Sequence, residues 1–173
     1  MILGGDLMKK LLIMVLLLCS LCAVCFAKVE RPADDRWVIA GGGKESEEIW
    51  VDVDSVNFAN SKEIGHGHHQ AAQIWFMGTN YETDMQLLIL TEFDFECRTM
   101  RRVSMSTYDG SGEFLGTFPG DAVSDPVIPG TVGEEVFSML LDMKDLRSNQ
   151  GEYDLYLLFL KSYTESYKEG EAV

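Results

Sequence analysis

From Arg36 onward, apolar and polar residues alternate with a period of two, the spacing that turns one side of a strand into a core and the other outward. Arg36-Trp37-Val38-Ile39-Ala40 predicts a first strand, ended by Gly41-Gly42-Gly43. In Glu48-Ile49-Trp50-Val51-Asp52-Val53-Asp54, the residues Ile49, Val51 and Val53 share one face while Asp52 and Asp54 share the other. A polar run, Asn57 to His69, leads into a third strand, Gln73-Ile74-Trp75-Phe76-Met77. The longest alternation runs from Leu87 to Cys97. It sets Leu87, Ile89, Thr91, Phe93, Phe95 and Cys97 on an apolar face, with Glu92, Asp94, Glu96 and Arg98 at positions of the opposite parity. Arg102 to Tyr108 and Glu113 to Phe118 flank the turn cluster Asp109-Gly110-Ser111-Gly112 and predict a hairpin.

The period changes after the extended stretch Pro126 to Gly130. Thr131-Val132-Gly133-Glu134 has the spacing of a capping box, in which the Thr hydroxyl and the Glu carboxylate serve free amides at a helix start. Val132, Val136, Met139, Leu140 and Met143 then recur at helical steps, widened by Phe137 and Leu141, and predict a helix of about three to four turns laid on the sheet. In the tail, Tyr156, Leu160, Tyr163 and Tyr167 fit one helical face, although Tyr153 to Leu157 also alternates as a strand would. The order of elements predicts an α+β fold: an antiparallel sheet with a C-terminal helix on one face, and a helical tail over 148–173.

The N-terminus reads differently. Lys9 and Lys10 precede an almost wholly apolar run, Leu11 to Val24, and Cys25-Phe26-Ala27 puts small residues at the −3 and −1 positions of a cleavage site. Residues 1–27 are thus expected to be a secretory signal peptide, with Met8 as good a start as Met1. The apolar run is shorter than the roughly 20 residues a bilayer span needs, so membrane contact is expected only through this segment. Cys19, Cys22 and Cys25 raise a lipid anchor as an alternative, but Leu18, Leu21 and Val24 stand where a lipobox wants Gly or Ala. The expected destination is the periplasm, the cell surface or the medium. Lys28 to Asp35 is a short polar lead-in containing Pro32.

Length and composition fit one globular domain: 173 residues, 46% hydrophobic and 24% charged. The net charge is −14. Cleavage after Ala27 removes Lys9, Lys10 and Asp6, so 14 basic and 28 acidic residues become 12 and 27, a net charge of −15. Such a surface repels nucleic acid and anionic lipid and favours basic, neutral or cationic partners.

Candidate chemistry concentrates in Glu63-Ile64-Gly65-His66-Gly67-His68-His69-Gln70, which holds all three histidines. His66, His68 and His69 offer imidazole ligands for zinc, copper or nickel, with Glu63 as a carboxylate. One cluster on one loop must be ordered by the metal it binds, so a solvated hairpin loop is the preferred reading and a weak metal site the alternative. Asp52 with Asp54 and Asp94 with Glu96 have the spacing of calcium or acid/base pairs, but also that of a strand's wet side. Gly41-Gly42-Gly43 lacks the lysine-serine of a phosphate loop. With no nucleophile in a recognisable setting, the expectation is a protein that is not an enzyme and needs no cofactor. Trp37, Trp50 and Trp75 are read first as residues packed in the sheet; Trp50 and Trp75 lie on the opposite parity from Ile49 and Ile74, so a tryptophan on the outer face as a binding hot spot is the alternative.

Several runs together resemble the surface-adhesin protein E-like domain of bacterial secreted proteins. They are Arg36-Trp37-Val38; Ile49-Trp50-Val51-Asp52-Val53-Asp54-Ser55-Val56; Ile74-Trp75; Phe93-Asp94-Phe95-Glu96-Cys97-Arg98; Tyr108-Asp109-Gly110-Ser111-Gly112; and Ile128-Pro129-Gly130-Thr131-Val132-Gly133-Glu134. The likeness covers Arg36 to about Leu141 and places such a domain at 36–147. It implies a sheet of about six strands with the helix on its concave face, and a disulfide from the position of Cys97 to a cysteine late in that helix. Here Ser138 to Met143 holds no cysteine. Such a staple is typically worth about 2 to 4 kcal/mol, which packing of Leu140, Leu141 and Met143 on Phe93 and Phe95 would offset. Cys97 is then either a buried thiol, the preferred reading, or the link to a second chain. By resemblance the protein is an exported binding module for host extracellular matrix or serum proteins, either a monomer or a Cys97-linked dimer. The alternatives are a structural envelope protein without a host ligand and a weak metal-binding protein.

Overall fold

A computed structural model describes residues 31–44, 47–60 and 70–170. Eight strands form one sheet: β1 Trp37–Lys44, β2 Glu47–Asp52, β3 Asn57–Asn60, β4 Gln70–Asn80, β5 Met85–Asp94, β6 Thr99–Asp109, β7 Phe114–Pro119 and β8 Asp125–Pro126. Helices α1, Val132–Leu146, and α2, Gln150–Lys168, complete the α+β fold. Six strands run in the order β1-β2-β4-β5-β6-β7, while β3 pairs with β4 and β8 with β6. Every pairing is antiparallel.

The strands depart from the expected bounds for local reasons. The glycines do not end β1, which continues through them to Lys44. A Cβ on Gly41 would sit 2.5 Å from Val132 Cγ2, so only glycine lets the start of α1 lie this close to the strand. β3 was hidden in a polar run, and it pairs Asn57 with Gln73 through to Asn60 with Gln70. β5 stops at Asp94 and not at Cys97. There the Asp94 Oδ1 accepts the backbone N–H groups of Glu96 (2.9 Å) and Cys97 (2.8 Å), and Arg98 turns to a φ of +53°. This is an Asx-type turn, in which a short carboxylate competes with the ladder for backbone donors.

Helix α1 starts at Val132 as expected, but neither reciprocal bond of a capping box is made at its head. The Thr131 hydroxyl donates to the Ile128 carbonyl (2.7 Å) and caps nothing, whereas Glu134 Oε2 accepts the N–H of Gly130 (2.8 Å). The buried face of α1, Val136, Phe137, Met139, Leu140 and Met143, lies on Val38, Val51, Ala72, Ile74 and Phe93. Phe137 is the hub. Its ring centroid is 6.3 Å from that of Phe93 and 5.7 Å from that of Phe95, while Phe76 and Phe58 extend the cluster on either side. Arg98, Lys144 and Arg147 close over the rings of Phe137, Phe95 and Phe58 at 4.8, 5.3 and 4.6 Å, so cations lid the aromatic core.

Helix α2 shares this core through Tyr153, Tyr156, Leu157 and Leu160. It also seals a sheet edge. The N–H of Ile39, on the open side of β1, donates to Thr164 Oγ1 (3.1 Å), and that hydroxyl donates to the Leu160 carbonyl (2.9 Å). Covering an edge strand with a helix removes its unpaired backbone groups from foreign strands.

Candidate binding groove

Cross-strand register sets the two faces of the sheet. Ile39 lies opposite Trp50, Trp50 opposite Met77, and Met77 opposite Leu88, so this row points away from α1. Trp75 and Leu90 join it. The outer face is therefore not simply wet: Trp50 is fully buried, whereas Trp37 and Trp75 are half-buried. Trp50 is accordingly no exposed hot spot.

Of the carboxylates expected on a solvated side, Asp54 and Glu96 are exposed, whereas Asp52, Asp94 and Glu92 are buried, each with its own partners. Asp52 pairs with Arg36, and its carboxylate also accepts the N–H of Asp54, which is exposed in the 3-10 turn Val53–Ser55. Glu92 takes Arg101 Nε (2.9 Å) and Gln73 Nε2 (2.9 Å). Asp94 serves the turn amides already described, and Glu96 lies exposed within that turn. A carboxylate is tolerated out of water only when it is paired and hydrogen-bonded, and these residues obey that rule separately. They do not assemble into an acid/base or calcium pair.

Glu48 is the most elaborate of them. Only 4% exposed, it receives Arg31 Nη2 at 2.5 Å and Nε at 2.9 Å on Oε1, the Tyr81 hydroxyl at 2.6 Å on Oε2, and the Tyr167 hydroxyl at 3.3 Å. Arg31 stacks 5.5 Å from the Tyr167 ring, which meets Trp50 edge-on at 6.3 Å. Burial, then the Glu48 carboxylate, raises the Tyr81 phenol, so it stays a donor at neutral pH. With both oxygens taken by a cation and two phenols, Glu48 has no free edge for substrate chemistry. It latches the lead-in, the β4–β5 turn and the end of α2 together.

An accessible concave surface lies elsewhere, between α1, α2 and β1. This groove has a volume of about 870 Å³. Ile39, Ala40 and Gly41 form its floor, α1 supplies Glu134, Glu135, Ser138 and Asp142, and α2 supplies Tyr156, Phe159, Tyr163 and Tyr167. The two helices thus present unlike walls, one acidic and one aromatic. Phe159 is 63% exposed and Tyr163 52%, so the aromatic wall is open to a partner. The Tyr156 hydroxyl donates to Asp142 Oδ2 (3.2 Å) across the groove. Burial first, then the charge of Asp142, pushes this phenol up to about 12.

Of the residues singled out in the sequence, His66, His68, His69 and Glu63 lie outside the described residues, in the connection between β3 and β4. Among the described residues no group of three or more His, Cys, Asp or Glu is placed to hold a metal. Cys97 is exposed in the β5–β6 turn, which corrects the buried-thiol expectation: the Asp94 turn takes it off the apolar strand face. Phe137 joins Leu140 and Met143 in the cluster packed on Phe93 and Phe95. No described helix is long and apolar enough to cross a membrane. Sequence reasoning missed the groove. Its signal was present in the polar side of α1 and the aromatic repeat of α2, but nothing in one dimension set those two walls face to face. Compared with known proteins, the chain matches no family model, no curated protein and no solved structure.

Proposed function

We propose that this chain is an exported binding module that holds a cationic, amphipathic segment of a partner protein in the groove between α1, α2 and β1. The observation that carries the reading is the opposition of Glu134, Glu135 and Asp142 to Phe159, Tyr163 and Tyr167 along one open groove. Aromatic side chains supply large contact area at low entropic cost, and carboxylates select lysine and arginine over acidic competitors. The strong negative charge of the chain speeds the approach of such a partner, and salt screens that attraction. Export is supported by the signal-peptide pattern of residues 1–27. The resemblance to surface-adhesin protein E-like domains, which rests on the quoted motifs alone, supports host extracellular matrix or serum proteins as the partner class.

The test is binding of the purified protein to a panel of immobilised matrix and serum proteins at low and high salt, beside Glu135→Lys and Phe159→Ala. Salt-sensitive binding that weakens about tenfold or more in either variant is the expected result. Binding indifferent to both substitutions overturns the groove. A protein shielded from protease on intact cells, with no binder in the panel, supports instead a structural role within the envelope.

A further inference from the structure

A second hollow, of about 390 Å³, opens on the helix-facing side of the sheet where α1 begins. Ile49, Phe76, Leu87 and Ile89 floor it around Gly78, and Met100 and Val132 stand at its walls. Gly78 lies inside β4 with Ile49 and Leu87 as its cross-strand partners. A glycine there weakens the strand, and such a glycine marks a bulge or the close approach of something else. Gly41 has its reason in the fold, since a methyl of Val132 stands where its side chain would be. Gly78 has none of this kind: a Cβ added there meets only Leu87 Cβ, at an ordinary 3.8 Å, and its strand runs in unbroken register.

Arg102 also lines the hollow. Its Nη2 donates to Asp121 Oδ1 at 2.6 Å, and the side chain as a whole is 35% exposed. A guanidinium carries more N–H donors than one carboxylate contact uses, so an acceptor carried by a ligand in the hollow can meet one that is accessible. The charged groups around the hollow are Arg101, Arg102, Asp121 and Asp125, two of each sign in a strongly acidic chain. Balanced charge selects neither an anion nor a cation. The volume falls in the range of small-molecule sites, which are mostly apolar with a few placed polar groups.

From these observations we infer that the hollow beside Gly78 binds a small, uncharged acyl or aryl compound whose carbonyl oxygen accepts from Arg102. This site is separate from the groove of the proposed function and does not depend on it.

The test titrates the purified protein with the neutral fluorophore N-phenyl-1-naphthylamine, then displaces it with methyl octanoate or with sodium octanoate. Saturable one-site binding, displaced better by the ester than by the anion, is the expected result. Gly78→Val fills the floor and should weaken both neutral compounds by about tenfold or more, with the thermal unfolding temperature held or raised. Arg102→Met should weaken the ester more than the fluorophore, which has no carbonyl. Phe159→Ala, in the other groove, should leave both unchanged. Tighter binding of octanoate than of its ester overturns the ligand class. Loss of probe binding in Phe159→Ala but not in Gly78→Val overturns the site. Should Gly78→Val fail to fold, Gly78→Ala replaces it, and unchanged affinity in that folded variant also overturns the site.

Discussion

At the scale of single residues, three positions show environment overruling residue type. Glu48 belongs by composition on a solvated face, yet Arg31, Tyr81 and Tyr167 converge on it. Glu48→Gln keeps the shape and removes the charge, so chemical denaturation should show a loss of about 1.5 to 3 kcal/mol. Gly41→Ala brings a methyl onto Val132 Cγ2 and should cost about 1 to 3 kcal/mol by the same measurement, since neither β1 nor α1 can withdraw without opening the core. Tyr156 carries a pH dependence. Its phenol is raised to about 12 from an ordinary 10.0, so the folded state holds the proton more tightly than the unfolded chain does. Stability is then full below pH 10 and declines as pH climbs towards 12. Tyr81, Tyr153 and Tyr167 are raised by burial in the same direction. Unfolding followed from pH 8 to 12, beside absorbance titration of the phenols, should show this decline and a shallower one in Tyr156→Phe.

At the scale of elements, the alternating runs and the three-and-four repeat of α1 were legible because a half-buried strand and a half-buried helix each write their periodicity into the chain. The ends were not, because they are set by particular contacts. Asp94 ends β5 by capturing two amides, and Val132 lets β1 run on through three glycines. β3 was invisible because four residues bounded by asparagines carry too little pattern. Helix α2 is where packing adds most to the pattern, since its docking depends on one hydroxyl meeting the open edge of β1. Thr164→Val preserves the β-branched shape but leaves the Ile39 N–H without its acceptor. The expected cost is about 1 to 3 kcal/mol, with faster hydrogen exchange at the Ile39 amide as the local readout.

At the scale of the whole molecule, the two ends of the sheet are treated differently. The β1 edge is sealed by α2, whereas β7 ends the strand order with Phe114, Leu115 and Phe118 exposed and no charged residue in the strand. An uncharged apolar edge invites pairing between copies, and here the net charge of −14 keeps copies apart. Raising salt shortens the reach of that repulsion to a few ångströms. Light scattering should therefore rise with protein concentration at high salt, and Leu115→Lys, which puts a cation on the edge, should suppress it. If scattering is the same in parent and variant, β7 is not the contact.

The sequence by itself determined the class of fold, the long strands of the sheet and the helix that covers it, because burial of one face imposes a repeat that needs no knowledge of the rest of the chain. It also set the acidic character that governs which partners can approach. Only the tertiary structure decided which carboxylates are buried, that Cys97 faces solvent and that an acidic wall meets an aromatic one. Those outcomes depend on neighbours far apart in sequence: Arg31 on Glu48, Thr164 on Ile39, Val132 on Gly41. A local pattern records whether a residue turns inward, but the partner it finds there is fixed by long-range packing, and the partner decides its chemistry.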